Sequence, residues 1–392
     1  MLFLALSTLL TLQNASASPG VVPSESSAPA PDSPAPRPTA TPARGRRTPT
    51  GSPTPAVTPT PTKGPAGRLI VVDKSDNAFS ILDTSNGKLV ATAPTDPGPH
   101  EVEVLADGKT AAISVYGSKA SPGRKVMLID AATGQSIATV DMGEHSRPHG
   151  LDALKDGRLL VTTEASREVA IVDPKTAKVV KRIATDRDLS HMVASSPDGK
   201  RAYVSSIAAG ALTVLDLMSG RVIADIPTGK GAEGVAVTPD GREAWVTNRT
   251  ANTISVVDTN TLKTTFAIEA GEFPIRVKFT PDGARAIVSF TGSGDVGVFD
   301  RAKRALIKRI PLGRDAVADS GGRVFQKRFG SSPAPVGIFV SPDGKRAWVA
   351  ASHADVVSVI NLDELKVEDA WPAGKEPDGL AGVFPSAAAT KK

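Results

Sequence analysis

Apolar and polar residues alternate along this chain in short bursts, and the bursts recur with a steady rhythm. Each period holds an apolar run, an Asp-Gly pair, a second run, a gap, and a third run that closes on an acidic or amide residue. The Asp-Gly pairs are 107–108, 156–157, 198–199, 240–241, 282–283 and 343–344. The closing residues are Asp83, Asp130, Asp173, Asp216, Asp258, Asp300 and Asn361, spaced 47, 43, 43, 42, 42 and 61 apart. The alternation within each burst is that of strands. A repeat of this length built only from strands predicts a β-propeller.

The segment 233–268 serves as the type unit. Glu233–Thr238 is a strand and Pro239-Asp240-Gly241 a turn, because Gly tolerates positive φ and Asp bonds back to its own backbone. Glu243–Thr247 and Thr253–Asp258 follow as second and third strands, and Lys263–Ile268 as the fourth. Residues 68–93 supply only three strands. Their missing inner strand is expected at the far end of the chain, where Pro377-Asp378-Gly379-Leu380 resembles Pro148-His149-Gly150-Leu151. The expected fold is therefore all-β: a seven-bladed β-propeller of four-stranded antiparallel blades, its ring closed by the C-terminal strand completing the first blade. Closure removes free strand edges.

Composition divides the chain further. Residues 1–17 read as a signal peptide, with an apolar run from Leu2 to Leu12 and the small-residue sequence Ala15-Ser16-Ala17 after it. Residues 18–66 are a Pro/Ser/Thr/Ala-rich linker with too little apolar surface to fold. The propeller is assigned to 67–384 and a disordered tail to 385–392. This predicts an exported protein (periplasmic, cell-surface or secreted) without a transmembrane span in its mature chain, and a monomer.

With no cysteine, the chain has no disulfide, thiolate metal site or covalent c-type heme attachment of its own. Of the net charge of +5, three units belong to residues 1–66. The repeat region is nearly neutral and poor in aromatics, which disfavours nucleic acid as a partner.

The segments Glu233–Gly241, Trp245-Val246-Thr247-Asn248 and Ile254–Asp258 resemble the YVTN repeat of bacterial seven-bladed propellers; Tyr203-Val204-Ser205-Ser206 occupies the same place. The likeness runs over about 68–384. It implies the fold and membership of exported, surface-layer-like binding proteins. Similar propellers include lyases, lactonases, heme-binding domains and some nucleic-acid binders, so the fold does not choose a function.

Counting seven places back from the Asp of each Asp-Gly gives His100, His149, His191, Glu233, Ile275 and Val336, with Asp378 in the closing strand. Three imidazoles thus fall at one structural position in three successive blades. His145 and His353 map to loops on the same face, at the mouth of the central tunnel. Tyr116, Glu164 and Arg249 follow second strands there, and Arg276 stands beside an inner-strand start. We expect a ligand site formed by His100, His149, His191, Glu233, Asp378, Tyr116, Glu164, Arg249 and Arg276. Neutral imidazoles with a carboxylate suit a divalent transition metal at His100, His149 and His191, or acid–base work on a bound anion. The alternative for each is a solvated polar rim. No complete catalytic set is visible. The favoured reading is a non-enzymatic binding protein for a small molecule, a metal ion or another exported protein; a propeller-type lyase or lactonase is the second. Insertions at 117–123 and 314–334 lie on this face, the latter basic and aromatic.

Overall fold

The computed structural model of the chain describes residues 66–143, 147–317 and 326–385. The predicted leader and nearly all of the predicted linker lie outside them, as do His145, residues 318–325 of the second insertion and most of the predicted tail. The described residues form seven four-stranded antiparallel sheets. They are the blades of a propeller, with short helical turns at Lys74–Asp76 and Gln326–Phe329. We number the blades along the chain. The first holds Arg68–Asp73, Ala78–Asp83 and Leu89–Pro94, and its inner strand is Pro377–Val383. Arg68 pairs with Val383 and Leu69 with Gly382, so the two ends of the repeat region close the ring. The inner strands of blades two to seven are Pro99–Val104, Pro148–Ala153, Ser190–Ser195, Ala232–Val237, Pro274–Phe279 and Pro335–Val340.

The core lies between blades. The second and third strands are apolar on both sides, and facing sheets interdigitate to give clusters such as Trp348, Trp371, Leu69 and Val359. Trp245 and Trp348 are fully buried, as expected of packing residues. The fourth strands are the outer rim and carry exposed apolar side chains.

Two devices set the inner strands around the axis. The residue before each one has positive φ: Gly98, Arg147, Leu189, Gly231, Phe273, Ala334 and Glu376. This left-handed kink launches all seven strands alike. Next, a buried hydroxyl on the second strand bridges two blades. Thr162 Oγ1 accepts from Gly150 N–H at 2.8 Å and donates to the His191 carbonyl of the next blade at 2.6 Å. Thr247 repeats this between Gly234 N–H (2.9 Å) and the Ile275 carbonyl (3.1 Å). Ser205 does so toward Glu233, and Ser289 toward Val336. The hydroxyl of the repeat thus fixes the backbone at the residues counted above as site candidates. Close approach of the inner strands also requires glycine. A Cβ on Gly337 would stand 2.0 Å from the Asp378 carbonyl.

The insertion at 117–123 is not a simple loop. The flanking strands run on to Gly117 and start again at Pro122. Gly117 and Gly123 face each other so closely that neither has room for a side chain, which lets the hairpin tighten.

Candidate functional site

All seven residues of the position counted from the Asp-Gly turns line one cavity on the tunnel axis: His100, His149, His191, Glu233, Ile275, Val336 and Asp378. Its volume is about 150 Å³. Tyr116, Glu164, Arg249 and Arg276 line it as well, so the nine expected ligand-site residues are brought together. His353 is at its wall. Ile207, which aligns with Tyr116 and Arg249, is not; it borders a shallow depression elsewhere. Lys74 and Glu376 join the cavity and were outside the expected set. Lys74 was visible by alignment after the second strand; Glu376 carries a signal only as the residue preceding an inner strand.

The three histidine rings lie side by side at tilts of 57° and 38°, and their donor atoms gather with a carboxylate in two groups, His100–Glu101–His149 and His149–Glu164–His191. Ring centroids are 4.1 Å apart for His100–His149 and 3.8 Å for His149–His191. The outer two are engaged. His100 Nδ1 is 2.7 Å from Asp378 Oδ2, and its Nε2 is 3.3 Å from Lys74 Nζ. His191 lies between two carboxylates, Glu164 Oε1 at 2.5 Å from Nδ1 and Glu233 Oε1 at 2.8 Å from Nε2. Burial opposes the imidazolium, but Glu233 and Glu164 outweigh it and raise the His191 pKa to about 9. Both ring N–H groups then donate. Glu233 shows the reciprocal effect: burial is overcome by His191, Arg249 and Arg276, and its pKa falls to about 2.

His149 differs. It is buried, and among the described residues neither ring nitrogen has a hydrogen-bond partner. Burial and the neighbouring charges of His191, His100, Arg276 and Lys74 hold its pKa well below the ordinary range. Its imidazole is held neutral, and its ring nitrogens have no protein partner among the described residues. Donor atoms of His149, Glu164 and His191 lie within 4.8 Å of one another. Tyr116 buttresses this group: its hydroxyl donates to Glu164 Oε2 at 2.5 Å, and its ring meets His149 edge-on.

The floor is an ion pair. Arg276 reaches Glu101 of blade two across the axis and Glu233 of blade five at 3.4 Å. The entrance is cationic. Lys74 and Arg249 are 24% and 23% exposed, while their partners Asp378 and Glu233 are 5% and 3% exposed.

Residues 156–276 match the family model described as the cytochrome D1 heme domain. The matched span includes Glu164, His191, Glu233, Arg249 and Arg276 and starts after His149. The chain is 27% identical to hydrazine synthase subunit beta of Kuenenia stuttgartiensis over 165 residues, 36% of this chain and 42% of that one. It thus spans about two fifths of that relative. A chain of Kuenenia stuttgartiensis hydrazine synthase superposes with a TM-score of 0.61 at 21% identity, covering 72% of this chain and 89% of that one. A functionally unknown protein from Desulfotomaculum acetoxidans gives 0.67 at 15% identity, covering 82% of this chain and all of that one. Dihydro-heme d1 dehydrogenase NirN in complex with DHE gives 0.56 at 18%, covering 85% and 78%. These superpositions establish a shared propeller fold. The matched model is a heme domain, where the repeat pattern pointed to YVTN propellers.

Proposed function

We propose that this chain is an exported binding propeller whose axial cavity holds a transition-metal centre through His149. The observation that carries this is the buried, neutral, unpartnered imidazole. A buried polar atom without a partner costs stability unless something binds it, and a neutral imidazole lone pair is a good donor to divalent first-row metals. Glu164 and His191 complete the set. To ligate, His191 gives up a proton, so binding releases protons, as is general for imidazole sites. No helix among the described residues is long and apolar enough to cross a membrane; export is supported by the leader-like N-terminal sequence.

The cytochrome D1 match raises a heme-type ligand as a second reading. The donor chemistry suits iron, but the volume does not suit the ring. About 150 Å³ is below the ~300 Å³ at the small end of organic-ligand pockets. A tetrapyrrole would extend beyond a cavity of this volume, whereas an ion is enclosed by it, so we favour the ion.

Calorimetric titration of chelator-treated protein with Zn²⁺, Cu²⁺ and Ni²⁺ tests the proposal, with hemin followed by its Soret band in parallel. One ion per chain, bound at least tenfold more weakly by His149→Ala, supports it. Equal affinity in both proteins refutes it. A hemin complex that depends on His149, without ion binding, selects the second reading.

A further inference from the structure

Below the Glu101–Arg276 pair the tunnel opens into a second chamber of different construction. Side chains alternate along a strand. The residues two places beyond Glu101 and Arg276, Glu103 and Lys278, therefore face the axis too. Both line a cavity of about 320 Å³, roughly twice the histidine cavity and within the size range of small-molecule sites. They stand four places before the Asp of their turns. The same position holds Asp152, Ala194, Ala236 and Phe339 in other blades, with Ala381 in the closing strand. Of these, Phe339 and Ala381 line the cavity together with Phe279, so one side of the space is aromatic.

The polar side is incomplete. Asp152 is anchored, accepting from Ser195 N–H at 2.8 Å. Among the described residues, no hydrogen bond engages the Glu103 carboxyl or the Lys278 ammonium, and no ion pair within 4.0 Å joins them. Burial raises the Glu103 pKa to about 7; Lys278 opposes the shift, and Asp152 and Glu101 add to it. The apolar side is rigid. Phe339 lies against Gly382, where a Cβ would be 2.3 Å from the ring. It also stacks on Phe384 at 5.9 Å with an interplanar angle of 7°.

We propose that this chamber binds a small zwitterion with an apolar body, the chemical class of a free aliphatic or aromatic α-amino acid. The ligand ammonium pairs with Glu103, its carboxylate with Lys278, and its side chain packs on Phe279, Phe339 and Leu380. A simple amine or a simple acid pairs with only one of the two charged groups, so it binds more weakly than the zwitterion. The Glu101–Arg276 pair separates this chamber from the histidine cavity, so it stands whether or not a metal binds above.

The test is calorimetry of the full chain with L-leucine and L-phenylalanine. 4-Methylpentanoate, which lacks the amine, and leucinamide, which lacks the carboxylate, are the controls. Glu103→Gln is nearly isosteric and Lys278→Met alters an exposed side chain, so both variants should fold, Glu103→Gln melting no lower than wild type at neutral pH. Saturable binding of at least one amino acid is expected, weakened about tenfold or more in each variant and for each control ligand, or ~1.4 kcal/mol. No binding of either amino acid at millimolar concentration overturns the proposal. So does equal binding by the controls, or undiminished affinity in both variants.

Discussion

Glu101 and Arg276 meet across the central tunnel although their strands belong to blades two and six, which do not adjoin. The ring forces this, because inner strands from all blades face one axis and a long side chain spans it. The pair separates two chambers of unlike chemistry. Breaking it leaves a buried charge uncompensated, which costs about 3–5 kcal/mol. Glu101→Gln and Arg276→Met should each lower the urea midpoint strongly. The double variant Glu101→Gln/Arg276→Met should lose less than the sum of the two. Simple additivity would show that the pair is not coupled.

Ring closure has a pH signature. Asp73 in blade one accepts from Gly374 N–H at 3.0 Å and from the Ser80 hydroxyl at 2.5 Å. Burial nonetheless raises its pKa to about 6 from 3.8. The folded state therefore holds this proton more tightly than the unfolded chain. Stability from this group is full below pH 4 and falls between pH 4 and 6. Above that it is lower by about 3 kcal/mol, at 1.36 kcal/mol per pKa unit. In Asp73→Asn the amide oxygen can still accept from Gly374 and the NH₂ can donate to Ser80. Urea unfolding should show that variant more stable than wild type at pH 8 and equal near pH 4. A constant difference across that range would reject the assignment.

Glycine at the axis is needed for space. Gly337→Ala places a methyl 2.0 Å from the Asp378 carbonyl, between the last inner strand and the closing one. We expect a loss of about 1–3 kcal/mol from overpacking. An unchanged melting temperature would mean that the strands part freely.

The two buried histidines of unlike charge can be read directly. In metal-free protein, nitrogen-detected NMR should show the His191 imidazolium persisting until about pH 9. His149 should remain neutral well below the usual imidazole range. Matching titrations near pH 6.5 would mean that Glu164 and Glu233 do not flank His191 as described.

Much of this was legible in the sequence because the repeat supplies its own ruler. Seven residues back from each Asp-Gly is a fixed height on the axis, so counting alone placed His100, His149, His191 and Glu233 in one cavity, and Asp378 with them through the closing strand. Counting gives height and blade, but not the partner of a side chain. That His100 is taken by Asp378 and His191 by two glutamates depends on rotamers and on residues far apart in the chain. Arg276 was placed beside the site; its reach to Glu101 was not, because the crossing exists only once the ring is closed. Glu376 was missed because its role comes from the left-handed kink before the last inner strand, a backbone feature with no side-chain pattern. The tier of Glu103, Asp152 and Lys278 falls at one count from the turns, but its members differ in charge and show no common residue type.

The proposed metal site requires a ring nitrogen of His149 as donor. The most direct measurement is an anomalous-difference map from crystals of metal-free protein soaked in Zn²⁺. A single peak is expected in the axial cavity about 2.0–2.1 Å from a His149 ring nitrogen, absent in His149→Ala. A cavity without density in the wild type, or a peak that stays in place when His149 is removed, would contradict it.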